Sequence, residues 1–537
     1  MKRTVIIYLI ICYSAISTVY GQDRYETRIP SLSDEKWWGG FVGYGHEMPF
    51  ASSTRMFNLS RENFNNQIVP LFVSNQGRYI WSDDPFRFKF SSDTLIIFSN
   101  YKKNIEVISA GTTLHDAYMS ASKKHFPPTG KIPEQVFFSK PQYNTWIELM
   151  YDQNQDDILK YANDAIKNGF PPGIFMIDDN WQKYYGNFEF KNDKFPDPKA
   201  MTDSLHAMGF DVMLWVCPYV SPDSPEYREL SSKGYLVKDK NDKDAIIHWW
   251  NGYSACYDMT NPNAVKHLQN ELTKLQDQFG IDGYKFDGAD VGYMQGNYSF
   301  YKEGASVNDF TEAWAAFALN FSFNELRTSW KLGGTELVQR LGDKNYSWDA
   351  VASLIPQMTT AGILGHAYVC PDMIGGGQFT AFLHIDADKF DQELIVRSAQ
   401  IHALMPMMQF SVAPWRILDK ENLKIVLDAV NLHQDFSEYI VECAKTMAIS
   451  GEPIVRSMEY SFPGENFSEC DDQYMLGDKY LVAPMVNPGN KRFIQLPKGQ
   501  WRDDLGKVHN GGKRMEIDVP LNRIPYFERL SFENNKK

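Results

Sequence analysis

The sequence predicts an α/β protein, a (β/α)8 TIM barrel with a β-sandwich-like domain before it and an antiparallel β-domain after it. Two observations point to the barrel. About eight strand-then-helix alternations fit the stretch from residue 126 to residue 460, a span typical of this architecture. Polar residues in that stretch collect after the strands and not before them, as they do where a site is built on the C-terminal face of a barrel. A third observation sets the flanks: residues 22–125 and 461–537 carry short strands punctuated by Gly, Asn, Asp and Ser, with little helical rhythm.

The chain starts with Lys2 and Arg3, an apolar run from Val5 to Ile16, and Val19-Tyr20-Gly21. This order reads as a signal peptide over residues 1–21, cleaved near Gly21, and implies export to the periplasm or the extracellular space. The run is short for a membrane span, and no later apolar stretch reaches 18 residues. Five cysteines follow, Cys217, Cys256, Cys370, Cys443 and Cys470, none in a Cys-x-x-Cys pair, so zinc spacing is absent. The formal charge of -13 argues against nucleic acid as a partner. Aromatic residues make up 14% of the chain, suited to stacking on sugar rings or to filling a large core.

In the N-terminal domain the strand patterns are 39–45, 68–74, 77–81, 86–90 and 94–98, followed by a helix or linker over 113–124 and a Pro-rich break at 127–133. The barrel rhythm then runs through strands at 144–149, 173–177, 210–216, 281–287, 335–338, 365–369 and 407–412. Helices over 153–168, 200–208, 264–279, 307–321, 348–361, 391–402 and 421–448 separate or follow them, the last as one helix or two. Gly280 stops the helix at 264–279. Strands at 480–486, 491–496, 499–503 and 515–519 form the C-terminal domain.

The strand-end residues are mostly carboxylates: Asp178, Asp179, Asp287, Asp290, Asp343 and Asp372. Sparse histidines, no His-Glu-x-x-His and no Gly-x-Ser-x-Gly leave carboxylate chemistry and no metal. Cleaving a glycosidic bond with two carboxyl groups needs one ionised and one protonated. Asp287 is the better nucleophile, its anion favoured by Lys285 where that side chain reaches it. Asp343 is the better acid/base, with nearby negative charge and partial burial expected to raise its pKa toward working pH. Arg340 is either a partner of sugar or carboxylate or a surface arginine. Asp178 and Asp372 can accept sugar hydroxyls, and Asp372 can equally cap the turn before Ile374-Gly375. Trp181, Trp215, Trp249 and Trp348 are stacking candidates or barrel core.

Lys285-Phe286-Asp287-Gly288-Ala289-Asp290, Gly342-Asp343-Lys344-Asn345 with Trp348, Ile177-Asp178, and Gly365 with Asp372-Met373-Ile374-Gly375-Gly376 occur in one order. With them the chain resembles glycoside hydrolase family 31, the retaining exo-acting α-glycosidases, from about Trp146 to Pro525. The resemblance implies Asp287 as nucleophile, Asp343 as acid/base and Asp178 as a ligand of the sugar. It implies no cofactor, a carbohydrate as the partner, and two carboxyls about 5–5.5 Å apart. Asp290 stands where the family usually has glutamate. The segment 405–415 lacks the Arg-x-His of many family α-glucosidases. Together with Ile177-Asp178-Asp179-Asn180-Trp181 it resembles the subgroup holding the myogenesis-regulating glycosidase and bacterial α-galactosidases. That implies an α-galactosidase with Asp179 reading a differently oriented hydroxyl. An α-glucosidase or α-xylosidase, a non-catalytic carbohydrate-binding protein, and a hydrolase of other chemistry on the same fold are the alternatives.

Overall fold

The computed structural model describes residues 25–62, 66–100, 105–385 and 390–530; the export signal read in residues 1–21 lies outside them. Eight parallel strands form the central sheet: β1 (Gln142–Asn144), β2 (Ile174–Ile177), β3 (Asp211–Val216), β4 (Gly283–Phe286), β5 (Phe323–Leu326), β6 (Gln339–Arg340), β7 (Val369–Cys370) and β8 (Gln409–Phe410). Each pairs with the next in chain order through β7. β8 pairs with β1, and a parallel bridge from Met373 to Gln409 closes the ring. The molecule is therefore a TIM barrel, as its strand-end carboxylates imply.

Burial explains the strand sequences. β2 reads Ile-Phe-Met-Ile and all four residues are buried, since a barrel strand is covered on both faces. The helix before β4, Pro262–Phe279, has Asn261 as its cap, proline in its first turn and Gly280 at φ 72 as its stop. Its buried residues Ala264, Leu268, Leu272 and Leu275 keep helical spacing on one side.

Before the barrel stand two four-stranded antiparallel sheets, one built on Tyr25–Pro30 and Thr94–Ser99, the other on Trp37–Phe41 and Ile68–Ser74. The helix Leu114–His125, with a capping box on Thr113 and Asp116, leads out of them. After the barrel, the helix Lys420–Ser450 runs unbroken into a six-stranded antiparallel sheet that begins at Val455–Arg456 and a two-stranded ribbon of Lys491–Leu496 with Lys513–Asp518. No helix among the described residues is long and apolar enough to cross a membrane. The five cysteines of the described chain are unbonded thiols.

The barrel departs from the sequence pattern in four places. The expected strand at 144–149 ends at Asn144, whose side chain accepts the Trp146 N–H at 2.8 Å and starts the short helix Thr145–Glu148. The expected strand at 335–338 gives way to Gln339–Arg340, and that at 365–369 to Val369–Cys370. β5 carries no pattern of its own. Its Asn324 and Glu325 point polar groups into the buried interior, so the segment reads as a loop.

Candidate active site

The C-terminal ends of the strands open into a cavity of about 460 Å³. Its lining includes Asp178, Asp179, Trp215, Lys285, Asp287, Arg327 and Asp343, with Trp146, Tyr151, Trp250, Tyr293, Lys344 and Gln378 around them.

Asp287 follows β4 directly. Its Oδ1 accepts the Gly288 N–H at 2.9 Å and Arg327 Nε at 2.9 Å; its Oδ2 accepts Trp215 Nε1 at 3.0 Å. Burial pushes this carboxyl up, but Arg327, Lys285 and the Trp215 hydrogen bond outweigh it and hold Asp287 well below the ordinary carboxylate range. Lys285 does not grip Asp287. It donates to Asp178 Oδ2 at 2.5 Å, so the cation in contact with the nucleophile candidate is Arg327, just after β5. Arg327 also forms a two-pronged pair with Asp290, at 3.3 and 3.1 Å. Gly288, at φ 74, lets this turn press on Tyr219; a Cβ there would lie 2.9 Å from the ring.

Asp343 lies at the mouth, its side chain 41% exposed. Arg340 Nη1 donates to Asp343 Oδ1 and to Asp372 Oδ1, each at 2.8 Å. Burial pushes Asp343 up, but Arg340, Arg327 and Lys285 together hold it below the ordinary carboxylate value. This corrects the expectation of a raised pKa in the open site: positive charge, not negative, dominates around Asp343. Asp372, fully enclosed, takes the opposite course. Burial drives it up, to about 6, against the pull of Arg340 and Lys344. Its φ of 86 is in the left-handed region, a strained conformation for aspartate. Gly377 packs on Asp343, where an added Cβ would lie 2.6 Å from the Asp343 Cβ. Burial lowers the Lys344 ammonium to about 8.

On the opposite wall, Thr145 and Gln153 support the turn after β2. Asp178 N–H donates to Thr145 Oγ1 at 2.9 Å, and Gln153 Nε2 donates to the carbonyls of Asp178 and Asp179 at 2.7 and 2.6 Å. Asp179 Oδ2 accepts from Tyr185 at 3.0 Å and Asn251 Nδ2 at 2.8 Å, while its Oδ1 is buried with no protein partner. Burial, then the neighbouring Asp178, raise Asp179 to about 7.

Asp178, Asp179, Trp215, Lys285, Asp287 and Asp343 thus line one cavity. Asp290, Arg340 and Asp372 stand behind it as partners of the residues that do. Trp181 is fully buried and donates Nε1 to the Trp215 carbonyl at 2.8 Å; it belongs to the core. Trp249 is stacked on Tyr219 at 4.3 Å, also inside. Trp348 donates to Asp391 at 2.9 Å, away from the cavity lining. The tryptophans at the cavity are instead Trp146, Trp215 and Trp250, the last with the Arg327 guanidinium 5.4 Å from its ring centre. Sequence reasoning missed Arg327. The strand before it, Phe323-Asn324-Glu325-Leu326, has no alternation, so the sequence offered no signal for this arginine.

The model of the glycosyl hydrolases family 31 TIM-barrel domain matches residues 137–442, and that of the family's C-terminal domain matches residues 451–530. The chain is 30% identical over 433 residues to the myogenesis-regulating glycosidase of Mus musculus, covering 78% of this chain and 60% of that protein. It is 25% identical over 506 residues to alpha-xylosidase XylQ of Lactiplantibacillus pentosus, covering 84% and 62%. The chain therefore spans less than two thirds of these relatives. Among solved structures, a soil-metagenome GH31 alpha-xylosidase complexed with xylose matches 95% of this chain and 79% of its own, with a TM-score of 0.81 and 22% identity. The Flavobacterium johnsoniae GH31 dextranase FjDex31A, complexed with glucose, matches 94% and 66%, at 0.80 and 20%. These two likenesses bear on the fold.

Proposed function

The chain belongs to glycosyl hydrolase family 31, and from that premise we propose that it is a retaining, exo-acting α-glycosidase that removes terminal α-linked sugars by double displacement. The observation that carries this reading is the pair Asp287 and Asp343, facing one cavity in unlike settings. Asp287, held as an anion by Arg327 and Trp215, attacks C1 of the sugar. As the bond from C1 to the leaving oxygen breaks, protonated Asp343 gives its proton to that oxygen. A β-linked ester on Asp287 results. Water then attacks C1 and gives a proton to Asp343, and Asp287 departs as carboxylate, so the α configuration is retained.

Asp343 must be protonated for the first step. In the open cavity Arg340 and Arg327 favour its anion. A sugar seated against Asp343 strips water from its carboxyl, and that loss of solvation favours the neutral form and raises its pKa. Asp178, neutralised by Lys285, and Asp179 are the acceptors for sugar hydroxyls, with Trp215 and Trp250 as walls.

For the sugar itself, an α-xyloside or α-glucoside comes first, because relatives carry the names alpha-xylosidase and alpha-glucosidase at 24–25% identity. An α-galactoside is the second reading. The unpartnered, buried Oδ1 of Asp179 favours it, as an acceptor for a hydroxyl oriented unlike that of glucose. Export, read from residues 1–21, would place the enzyme among periplasmic or extracellular glycans. A panel of p-nitrophenyl α-xyloside, α-glucoside and α-galactoside, with NMR of the first-released anomer, tests all of this. Release of the α-anomer supports the mechanism and the preferred sugar decides between the readings; release of the β-anomer would remove Asp287 as nucleophile.

A further inference from the structure

The N-terminal domain reaches into the catalytic end of the barrel. Asn66 and Gln67, which lead into the strand Ile68–Ser74, are buried against barrel residues more than 250 positions away in the chain. Asn66 Oδ1 accepts the N–H of Gly342, the residue before Asp343, at 2.8 Å. Gln67 Nε2 faces three oxygens: the Arg327 carbonyl at 2.9 Å, Gln339 Oε1 at 3.0 Å and the Arg340 carbonyl at 3.2 Å. Three acceptors around one atom fix the amide's orientation, because an oxygen in that place would meet only oxygens. The Ile68 N–H donates to the Ser329 carbonyl and the Lys331 N–H to the Ile68 carbonyl, both at 2.9 Å, so this run is laced along 329–331.

What Gln67 bridges is a thin seam of the barrel. β4 and β5 are joined by four residue pairs, but β5 and β6 by one, Leu326 with Gln339. These two strands deliver Arg327, which holds Asp287, and Arg340, which holds Asp343. With so short a ladder, their relative placement is not fixed by the barrel alone.

We infer that Asn66 and Gln67 are positioning residues for catalysis: Gln67 sets the spacing of the two arginines across the β5–β6 seam, and Asn66 sets the Gly342–Asp343 peptide and with it the reach of the acid/base carboxyl. This rests on the reading of Asp343 as acid/base. Asn66 acts on the acid/base alone, Gln67 on both carboxylates, and their variants differ accordingly.

The test compares kcat/KM, which reports the first displacement, on two substrates of the sugar chosen by the panel: the α-glycosyl fluoride, whose leaving group needs no proton, and an α-linked disaccharide, whose leaving group does. Asp343→Ala is the reference and should lose about 100-fold or more on the disaccharide and far less on the fluoride. Asn66→Ala should follow that pattern with a loss of about tenfold on the disaccharide, as a displaced catalytic group does. Asn66→Asp keeps the oxygen that Gly342 donates to, so it should lose less on the disaccharide than Asn66→Ala does. Gln67→Glu sets carboxylate oxygens against two carbonyls and should lower both substrates alike. Thermal unfolding of each variant is recorded beside the kinetics. If Asn66→Ala lowers both substrates equally, or lowers only the melting temperature, Asn66 is a structural contact and the inference is overturned. If Asp343→Ala shows no dependence on the leaving group, the acid/base reading itself fails. Should Asn66→Ala not fold, Asn66→Ser, with a shorter oxygen, carries the same comparison.

Discussion

Asp287 and Asp343 are the same functional group on neighbouring faces of one cavity, and the protein surrounds them in opposite ways. Asp287 has a side chain 11% exposed and partners on both oxygens: a backbone N–H and Arg327 on one, an indole N–H on the other. Asp343 is 41% exposed and is gripped by Arg340 at Oδ1. A nucleophile must be denied a proton, which donors on every side achieve. An acid/base must keep a side open to the leaving group and must be able to change charge. On the proposed roles, the difference teaches that the number and direction of donors assign the role more than the carboxyl itself.

The strongest way to break this comparison is to remove each carboxyl in turn. Asp287→Ala should abolish turnover of every substrate, by about 10⁴-fold or more, because no covalent step remains. Asp343→Ala should cost less, about 10²–10³-fold on poor leaving groups, and azide should partly restore the second displacement by replacing water without a base. Equal losses in both variants on an activated substrate would mean the two roles are not separated as drawn.

A second way is to weaken the donors on Asp287 while keeping the charge. Arg327→Lys retains a cation but loses the fork that meets Asp287 and Asp290 together. Arg327 holds the Asp287 pKa down, so weakening it moves that pKa up. Activity needs ionised Asp287, so the acid limb of the kcat/KM profile should shift to higher pH, by about one unit. With the acid limb unmoved, Arg327 would not be the group that keeps Asp287 ionised.

These donors also mark where the sequence ran out. The barrel and Asp287 were legible because periodicity locates strand ends: a helix over 264–279, its stop at Gly280 and the strand into Asp287 follow from spacing, and the structure starts that helix at Pro262. Arg327 and the β5 strand behind it were not, since four residues with Asn324 and Glu325 turned inward carry no alternation to detect. The charge around Asp343 was read with the wrong sign for a related reason. Asp343 and Asp372 read as strand-end carboxylates in a crowd; Arg340 stands only three residues before Asp343, but its grip on it, and the arrival of Arg327 and Lys285 from neighbouring strands, reverse the balance only in the folded chain. Pairings across the barrel are long-range facts, and a single chain records only which residues exist, not which meet. Tryptophan shows the same limit: Trp181, Trp215, Trp249 and Trp250 are alike in sequence, and only packing sorts wall from core.

That last sorting gives the smallest expected effect. Trp181 and Trp215 touch through one hydrogen bond, from the Trp181 indole to the Trp215 carbonyl at 2.8 Å, yet only Trp215 reaches the cavity and donates to Asp287. Trp181→Phe keeps an aromatic ring in a fully buried place packed on Phe190, 4.7 Å away, and leaves the Trp215 carbonyl without its donor. The loss should be about 1–3 kcal/mol of stability, read as a lower midpoint in thermal unfolding, with KM unchanged. Trp215→Phe removes a donor to Asp287, the proposed nucleophile, so it should lower kcat by about tenfold and, because that hydrogen bond helps hold the Asp287 pKa down, shift the acid limb upward. A rise in KM for Trp181→Phe at unchanged stability would put Trp181 back among the residues that touch sugar and erase the line drawn between cavity wall and barrel core.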